Sequence, residues 1–89
     1  MTHVATRATD PGPARVAVVA SRRVGNAVAR NRCKRLLREA VRRCVLREGI
    51  DVVLVARAQL ASVGLDEVYA ELRAHLDDLG ALEPLVAAG

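Results

Sequence analysis

Aromatic residues are almost absent from this chain of 89 residues, which contains no Phe, no Trp and a single Tyr. Hydrophobic residues make up 52% of the sequence, and Ala, Val and Leu supply most of them. A core built from such side chains has little bulk per residue, and a domain of this size buries only about 60–65% of its unfolded surface. We therefore expect one small domain near the lower end of the usual ~5–15 kcal/mol of stability.

Long apolar runs are also missing. No stretch approaches the roughly 18–20 residues that cross a bilayer, and the N-terminus has no hydrophobic region of the kind found in signal peptides. The sequence therefore predicts a soluble, unexported protein, located in the cytoplasm.

Cysteine is scarce, and the two that occur, Cys33 and Cys44, are eleven residues apart. On one helix their Cα atoms would lie ~16 Å apart, too far for a disulfide, which needs about 7 Å or less. No second cysteine pair or nearby His completes a zinc site. Both cysteines are expected to be small buried side chains in a reducing compartment.

Candidate catalytic groups are few. His3 and His75 are isolated in sequence, no Ser or Cys has a plausible base near it, and the carboxylates fall on a helix surface or at turns. We expect no catalytic residue and no cofactor or metal ion held by the protein itself.

Acidic residues are nearly absent between residues 21 and 47. This segment holds ten of the fourteen cations of the chain and a single acid, Glu39. The rest of the chain is net acidic, although the whole carries a net charge of +4. A positive charge gathered into one segment is typical of a surface that binds nucleic acid.

The stretch from Asn26 to Arg47 has the spacing of an amphipathic helix. Apolar residues recur at three- and four-residue intervals, namely Cys33, Leu36, Leu37, Ala40, Val41 and Cys44. Cations gather on the opposite side, namely Lys34, Arg35, Arg38 and Arg42. An arginine fork suits phosphate, and the lack of aromatic platforms favours a folded nucleic-acid backbone over unpaired bases.

Two apolar segments flank this helix and predict a βαβ unit. They are Arg15 to Ser21, which reads as a strand buried on both faces, and Ile50 to Ala56. Gly49 is expected to end the helix at its C′ position, and the two strands to lie parallel and close together. A second helix begins at Leu65, is stopped by Gly80, carries acids outside and packs on the sheet.

The predicted fold class is therefore α+β: a small single domain with a βαβ unit and a C-terminal helix on a small sheet. We assign residues 1–14 to a flexible N-terminus, residues 15–82 to the domain, and residues 83–89 to a C-terminal tail.

The basic segment resembles a known family, the protein subunit of bacterial ribonuclease P. The string from Ser21 to Arg32, SRRVGNAVARNR, with its continuation KRLLREA from Lys34 to Ala40, is similar to the signature of that family, including its Arg-Asn-Arg core. The segment GIDVVLVAR, from Gly49 to Arg57, resembles the strand after the helix. The resemblance runs from about Arg15 to Gly80.

The resemblance implies a left-handed βαβ crossover, contrary to the usual right-handed rule. It implies an accessory subunit of an endoribonuclease, in which the RNA subunit supplies the catalytic site and its Mg²⁺. The resemblance also implies that the protein binds that RNA and the 5′ leader of precursor tRNA. Family members carry a helix and further strands ahead of the first strand predicted here, with aromatic residues along the leader cleft, so leader contact is left open.

Residues that match the RNA-binding motif of the family are Arg22, Arg23, Arg30, Asn31, Arg32, Lys34, Arg35 and Arg38. The basic face of the helix adds Arg42 to this set. Two other functions remain open: a DNA-binding module that places the basic helix in a major groove, and a peripheral binder of membranes or acidic proteins.

Overall fold

The computed structural model describes residues 2–83 and consists of three strands and two helices, joined by two short 3₁₀ helices. The strands are β1 (Thr2–Ala8), β2 (Arg15–Val19) and β3 (Ile50–Ala56); the helices are α1 (Ala27–Arg42) and α2 (Leu65–Asp78); the 3₁₀ helices are Arg22–Val24 and Ala58–Ser62. The predicted α+β class is confirmed, with α2 following the sheet as expected. Of the predicted tail 83–89, residues 84–89 lie outside the described part of the chain.

The sheet has the order β1-β3-β2. Strand β2 runs parallel to β3, as the predicted βαβ unit requires, and β1 runs antiparallel to β3 on its other side. The prediction of a flexible N-terminus over residues 1–14 is wrong for residues 2–8, which form β1. The physical reason is that β2 covers only one edge of the apolar strand β3, and β1 satisfies the backbone groups of the other edge. The left-handed sense of the crossover stays a prediction.

Strand β2 differs from the prediction in length and burial. It ends at Val19 rather than Ser21, and four of its five residues are exposed. Val16 and Val19 keep 38% and 44% of their surface exposed because β2 is an edge strand with one face of the sheet uncovered. A continuous apolar run had favoured burial on both faces, but in this fold only the central strand approaches that state.

The core lies between one face of the sheet and the two helices. Alternate residues of the strands face it, so that Val4 and Val18 stand on either side of Leu54 in the register. The largest buried side chains are Leu37, Leu54, Leu60, Leu72 and Leu76. Neither described helix is long and apolar enough to span a bilayer.

Helix α1 ends earlier than the sequence pattern indicated. Its last residue is Arg42, and the chain then leaves the helix, so that Leu46 forms an isolated bridge with Leu82. Gly49 is not the C′ residue of the helix, which corrects the prediction. Gly49 instead adopts φ +75° in the turn before β3, where its N–H donates to the Gly12 carbonyl and its carbonyl accepts from Thr9 N–H, both at 2.8 Å.

An ion-pair cluster joins the three strands at one end of the uncovered face of the sheet. Asp51 of β3 accepts hydrogen bonds from Arg7 of β1 at 3.0 Å and from Arg15 of β2 at 2.9 and 3.1 Å. The register places all three residues side by side. The hydrogen bonds from Arg15 and Arg7 hold the pKa of the Asp51 carboxyl below its usual value.

We expect Asp51→Asn to lower the melting temperature at neutral pH, because an amide attracts two guanidinium groups less strongly than a carboxylate. The stabilisation is present above the unfolded pKa of ~3.9 and is lost as the pH falls through the lower folded pKa. Thermal unfolding of both proteins from about pH 7 to about pH 2 should therefore show a gap that closes in acid and shrinks with salt, since both arginines are exposed. A gap that persists at the acid end would contradict this.

Candidate nucleic-acid interface

Helix α1 buries an apolar stripe on one side and exposes most of its basic side chains on the other. Cys33, Leu37 and Ala40 are fully buried and Val41 nearly so, whereas the arginines of the opposite side are exposed. Asn26 begins the helix as predicted, with its side-chain Oδ1 accepting the Ala29 N–H at 2.9 Å. The buried stripe thus fixes the rotation of the helix and turns its cations outward.

The exposed side of α1 holds a shallow depression of about 310 Å³. Its lining residues are Asn31, Lys34, Arg35, Arg38, Glu39 and Arg42. Five of the nine predicted site residues therefore line one concave surface. They come together because residues three, four and seven positions apart share a helix face.

The electrostatics of this depression favour an anionic ligand. Glu39 is its only acid, and Arg42 pairs with it at 3.3 Å. Lys34, Arg35 and Arg38 form no ion pair within residues 2–83. Since these cations repel one another and lie near water, phosphate groups would relieve the repulsion and accept paired hydrogen bonds from each guanidinium.

A 3₁₀ helix places Arg22 and Arg23 just ahead of α1. Ser21 caps it, its hydroxyl accepting the Arg23 N–H at 3.3 Å, and the buried Val24 anchors it to the core. Gly25 then adopts φ +140°, a backbone region that favours glycine, and a Cβ there would lie 3.0 Å from the Ala29 Cβ. Both arginines are exposed, but they lie outside the depression.

A second concavity, of about 500 Å³, lies at the end of the sheet next to this 3₁₀ helix. It is lined by His3, Ser21, Arg23, Val55, Ala56, Arg57 and Ala58. Sequence reasoning did not select His3 or Arg57 as site residues. The strand register explains their position: His3 of β1 stands opposite Val55 on the uncovered face, and Arg57 directly follows β3.

Several cations of the basic segment hold the fold together. Arg32, a predicted site residue, donates its Nε–H to the Ala61 carbonyl at 2.9 Å, which ties α1 to the second 3₁₀ helix. Arg47 donates to the Gly80 carbonyl at the end of α2 at 3.3 Å.

Arg43 joins the two helices near the start of α2. Its Nη1 lies 3.6 Å from Asp66 Oδ1, and its guanidinium carbon lies 5.8 Å from the ring centroid of Tyr69, the only Phe, Tyr or Trp in the sequence. Arg30, also a predicted site residue, is half-buried on α1 outside the depression. The ten cations are therefore not equivalent: Arg32, Arg43 and Arg47 bond to the protein itself, whereas Lys34, Arg35 and Arg38 in the depression do not within residues 2–83.

The two cysteines are free thiols and pack as small apolar side chains. Cys33 is fully buried, and Cys44 is partly buried with its Sγ–H directed at the Ala40 carbonyl at 3.7 Å. Burial raises the pKa of both thiols, so neither is activated for nucleophilic chemistry. Within residues 2–83 no three His, Cys, Asp or Glu side chains group closely enough to hold a metal ion.

Comparison with protein families gives a match over almost the whole described chain. The family model described as Ribonuclease P matches residues 2–80, which includes β1 and so extends the resemblance seen from Arg15 onward. Curated relatives include the ribonuclease P protein component of Dehalococcoides mccartyi, 48% identical over 54 residues that cover 61% of this chain and 45% of that protein.

The ribonuclease P protein component of Ruegeria pomeroyi is 44% identical over 88 residues, covering 91% of this chain and 70% of that protein. The chain spans about half the length of several other curated relatives it matches.

Solved structures show the same fold. The RNase P protein of Thermotoga maritima superposes with a TM-score of 0.77 at 30% identity, covering 86% of this chain and 76% of that one. The RNase P protein of Staphylococcus aureus superposes with a TM-score of 0.78 at 22% identity, covering 92% and 77%. At that lower identity the second likeness supports the fold alone.

We expect Arg32→Lys to destabilise the protein by about 1 kcal/mol, the net value of one hydrogen bond, and to lower the melting temperature by ~4–8 °C. Lysine keeps the positive charge but has no Nε–H to donate to the Ala61 carbonyl. The matched control is Arg35→Lys, because Arg35 is exposed and has no protein partner in the described residues. Its melting temperature should equal that of the wild type. Equal melting temperatures for all three proteins would show that the Arg32 contact contributes nothing.

Proposed function

Because this chain belongs to the Ribonuclease P family, we propose that it is the RNA-binding protein subunit of a bacterial ribonuclease P ribonucleoprotein. In this role it assists a catalytic RNA in removing the 5′ leader from precursor tRNA, and it is the accessory subunit of an endoribonuclease. The observation that carries the proposal is the basic depression of α1, where Lys34, Arg35 and Arg38 lack protein partners within residues 2–83 and face outward together.

The shape of this surface fits a folded RNA. A convex helix with a shallow basic depression presents guanidinium forks to a phosphate backbone, and it carries no aromatic ring on which an unpaired base could stack. RNA in the A form is contacted mostly through its phosphates and 2′-hydroxyls. The polyanion therefore binds along α1, with the RNA subunit as the partner.

Catalysis in this proposal belongs to the RNA subunit, and so does the Mg²⁺ that the reaction uses. The residues of the protein bind and orient RNA. No proton transfer or nucleophilic step is assigned to a protein side chain. The free thiols Cys33 and Cys44 fit a reducing cytoplasm.

The double variant Arg35→Ala plus Arg38→Ala should bind the RNA subunit more weakly and with a flatter salt dependence. Each phosphate contact contributes roughly 0.7–0.9 to the slope of log affinity against log salt, so that the loss of two should flatten it by about 1.5. Filter binding or fluorescence titration over a series of salt concentrations measures this slope.

Arg73→Ala on the acidic helix α2 is the matched control, since Arg73 is exposed and away from the depression. It should leave the slope unchanged. A duplex DNA competitor run beside a structured RNA tests the DNA-binding alternative, because DNA should compete poorly. An unchanged slope in the double variant, or equal competition by DNA, would refute the proposed function.

The concavity at the end of the sheet is proposed to contact the 5′ leader of precursor tRNA. It is lined by Arg23, Arg57 and His3 and contains no acid, so it suits a phosphate. It also adjoins the uncovered face of the sheet, where Val19, Val53 and Val55 form an apolar surface for an extended strand of RNA to pack against.

Arg57→Ala should lower the preference of the reconstituted ribonucleoprotein for precursor over mature tRNA by about tenfold, the loss expected for one hydrogen bond to a charged group. Arg73→Ala again serves as the control. The measurement is the ratio of dissociation constants for precursor and mature tRNA, together with the affinity for the RNA subunit alone. An unchanged ratio of dissociation constants would show that the concavity does not bind the leader. The proposed role of α1 would not be affected.

A further inference from the structure

Val28 is the most exposed large hydrophobic side chain in the described part of the chain, with 77% of its surface accessible. It lies in the first turn of α1, on the side away from the core. The other large apolar residues of this helix are partly buried, as Leu36 is, or buried, as Leu37 and Val41 are. Val28 is therefore the one large apolar side chain of α1 that is mostly exposed.

The helix spacing places Val28 within the basic surface. Asn31, Arg32 and Arg35 follow it at i+3, i+4 and i+7, the positions that share a face with it. All three are exposed. Val28 therefore shares a face of α1 with Arg35, one turn ahead of the residues that line the basic depression.

Folding alone does not explain a valine at this position. It contributes nothing to the core, and a β-branched side chain is a poorer helix former than Ala, Arg, Lys or Glu on an exposed helix surface. Any of those residues would stabilise the first turn of α1 better than valine does. The valine side chain lowers the free energy of the protein only when a partner removes it from water.

We propose that Val28 is an apolar contact within the RNA interface, packing against the ribose and base edge of a nucleotide whose neighbouring phosphates bind the arginines of α1. This inference rests on the proposed function and deepens it. The arginines supply attraction to any phosphate backbone, whereas Val28 requires a nucleotide surface at one defined place. It therefore sets the register of the RNA along the helix and adds affinity that salt does not screen.

Val28→Ala tests the inference, because a phosphate contact and an apolar contact respond differently to salt. The affinity for the ribonuclease P RNA subunit should fall about five- to tenfold, as expected for two buried methyl groups. The line of log affinity against log salt should shift down in parallel with that of the wild type, since no phosphate contact is lost. The melting temperature should stay the same or rise, because alanine is the better helix former.

Val45→Ala is the matched control: the same substitution at a valine with 69% of its surface exposed, in the connection after α1 and outside the basic depression. It should bind RNA as the wild type does. Wild-type affinity in Val28→Ala, an equal loss in Val45→Ala, or a flattened salt slope would each overturn the inference. If Arg35→Ala plus Arg38→Ala loses affinity while Val28→Ala does not, the inference alone fails; if the wild type ignores the RNA, the proposed function fails with it.

Discussion

The pairing of β3 on both of its edges is the constraint on which the rest of the structure depends. Its inward residues Val52, Leu54 and Ala56 are buried, and they form the floor on which the helices pack. An apolar strand with an open edge would expose unpaired backbone groups and invite aggregation. Strands β1 and β2 both precede α1 in the chain, and they pair with the two edges of β3.

This arrangement positions the two basic concavities. The helix α1 leads from the edge strand β2 to the central strand β3, so its buried stripe must face the sheet and its arginines must face away. The second concavity forms where β2 and β3 end together, since parallel strands bring the residues that follow them to one edge of the sheet. Ser21, Arg23 and Arg57 meet there for that reason.

The sequence predicted best those features that depend on short-range spacing. The bounds of β3 and the start of α1 agree with the structure because an apolar run and an N-cap are local signals. The grouping of Asn31, Lys34, Arg35, Arg38 and Arg42 follows from helix periodicity alone. The early end of α1 could not be predicted from this periodicity, because it depends on the pairing of Leu46 with Leu82, a residue far along the chain.

Strand β1 was missed, although its sequence THVATRA alternates side chains with the period of a strand. The segment is too polar to bury much surface by itself, and only the free edge of β3 makes it a strand. His3 was missed as a site residue for the same reason, since its place beside Arg23 exists only after the strands have paired.

Arginine rather than lysine supplies 13 of the 14 cations, and the structure indicates why. A guanidinium has five donors on a rigid plane, so one group can bond the protein and still present donors to a ligand. Arg32 has the geometry for such a dual use, since its Nε–H is bound to the Ala61 carbonyl while the side chain stays exposed. A lysine offers one compact ammonium, which cannot serve a backbone carbonyl and a distant phosphate in fixed directions. In a domain with so small a core, residues that stabilise the fold and the interface together are the ones its sequence can least easily replace.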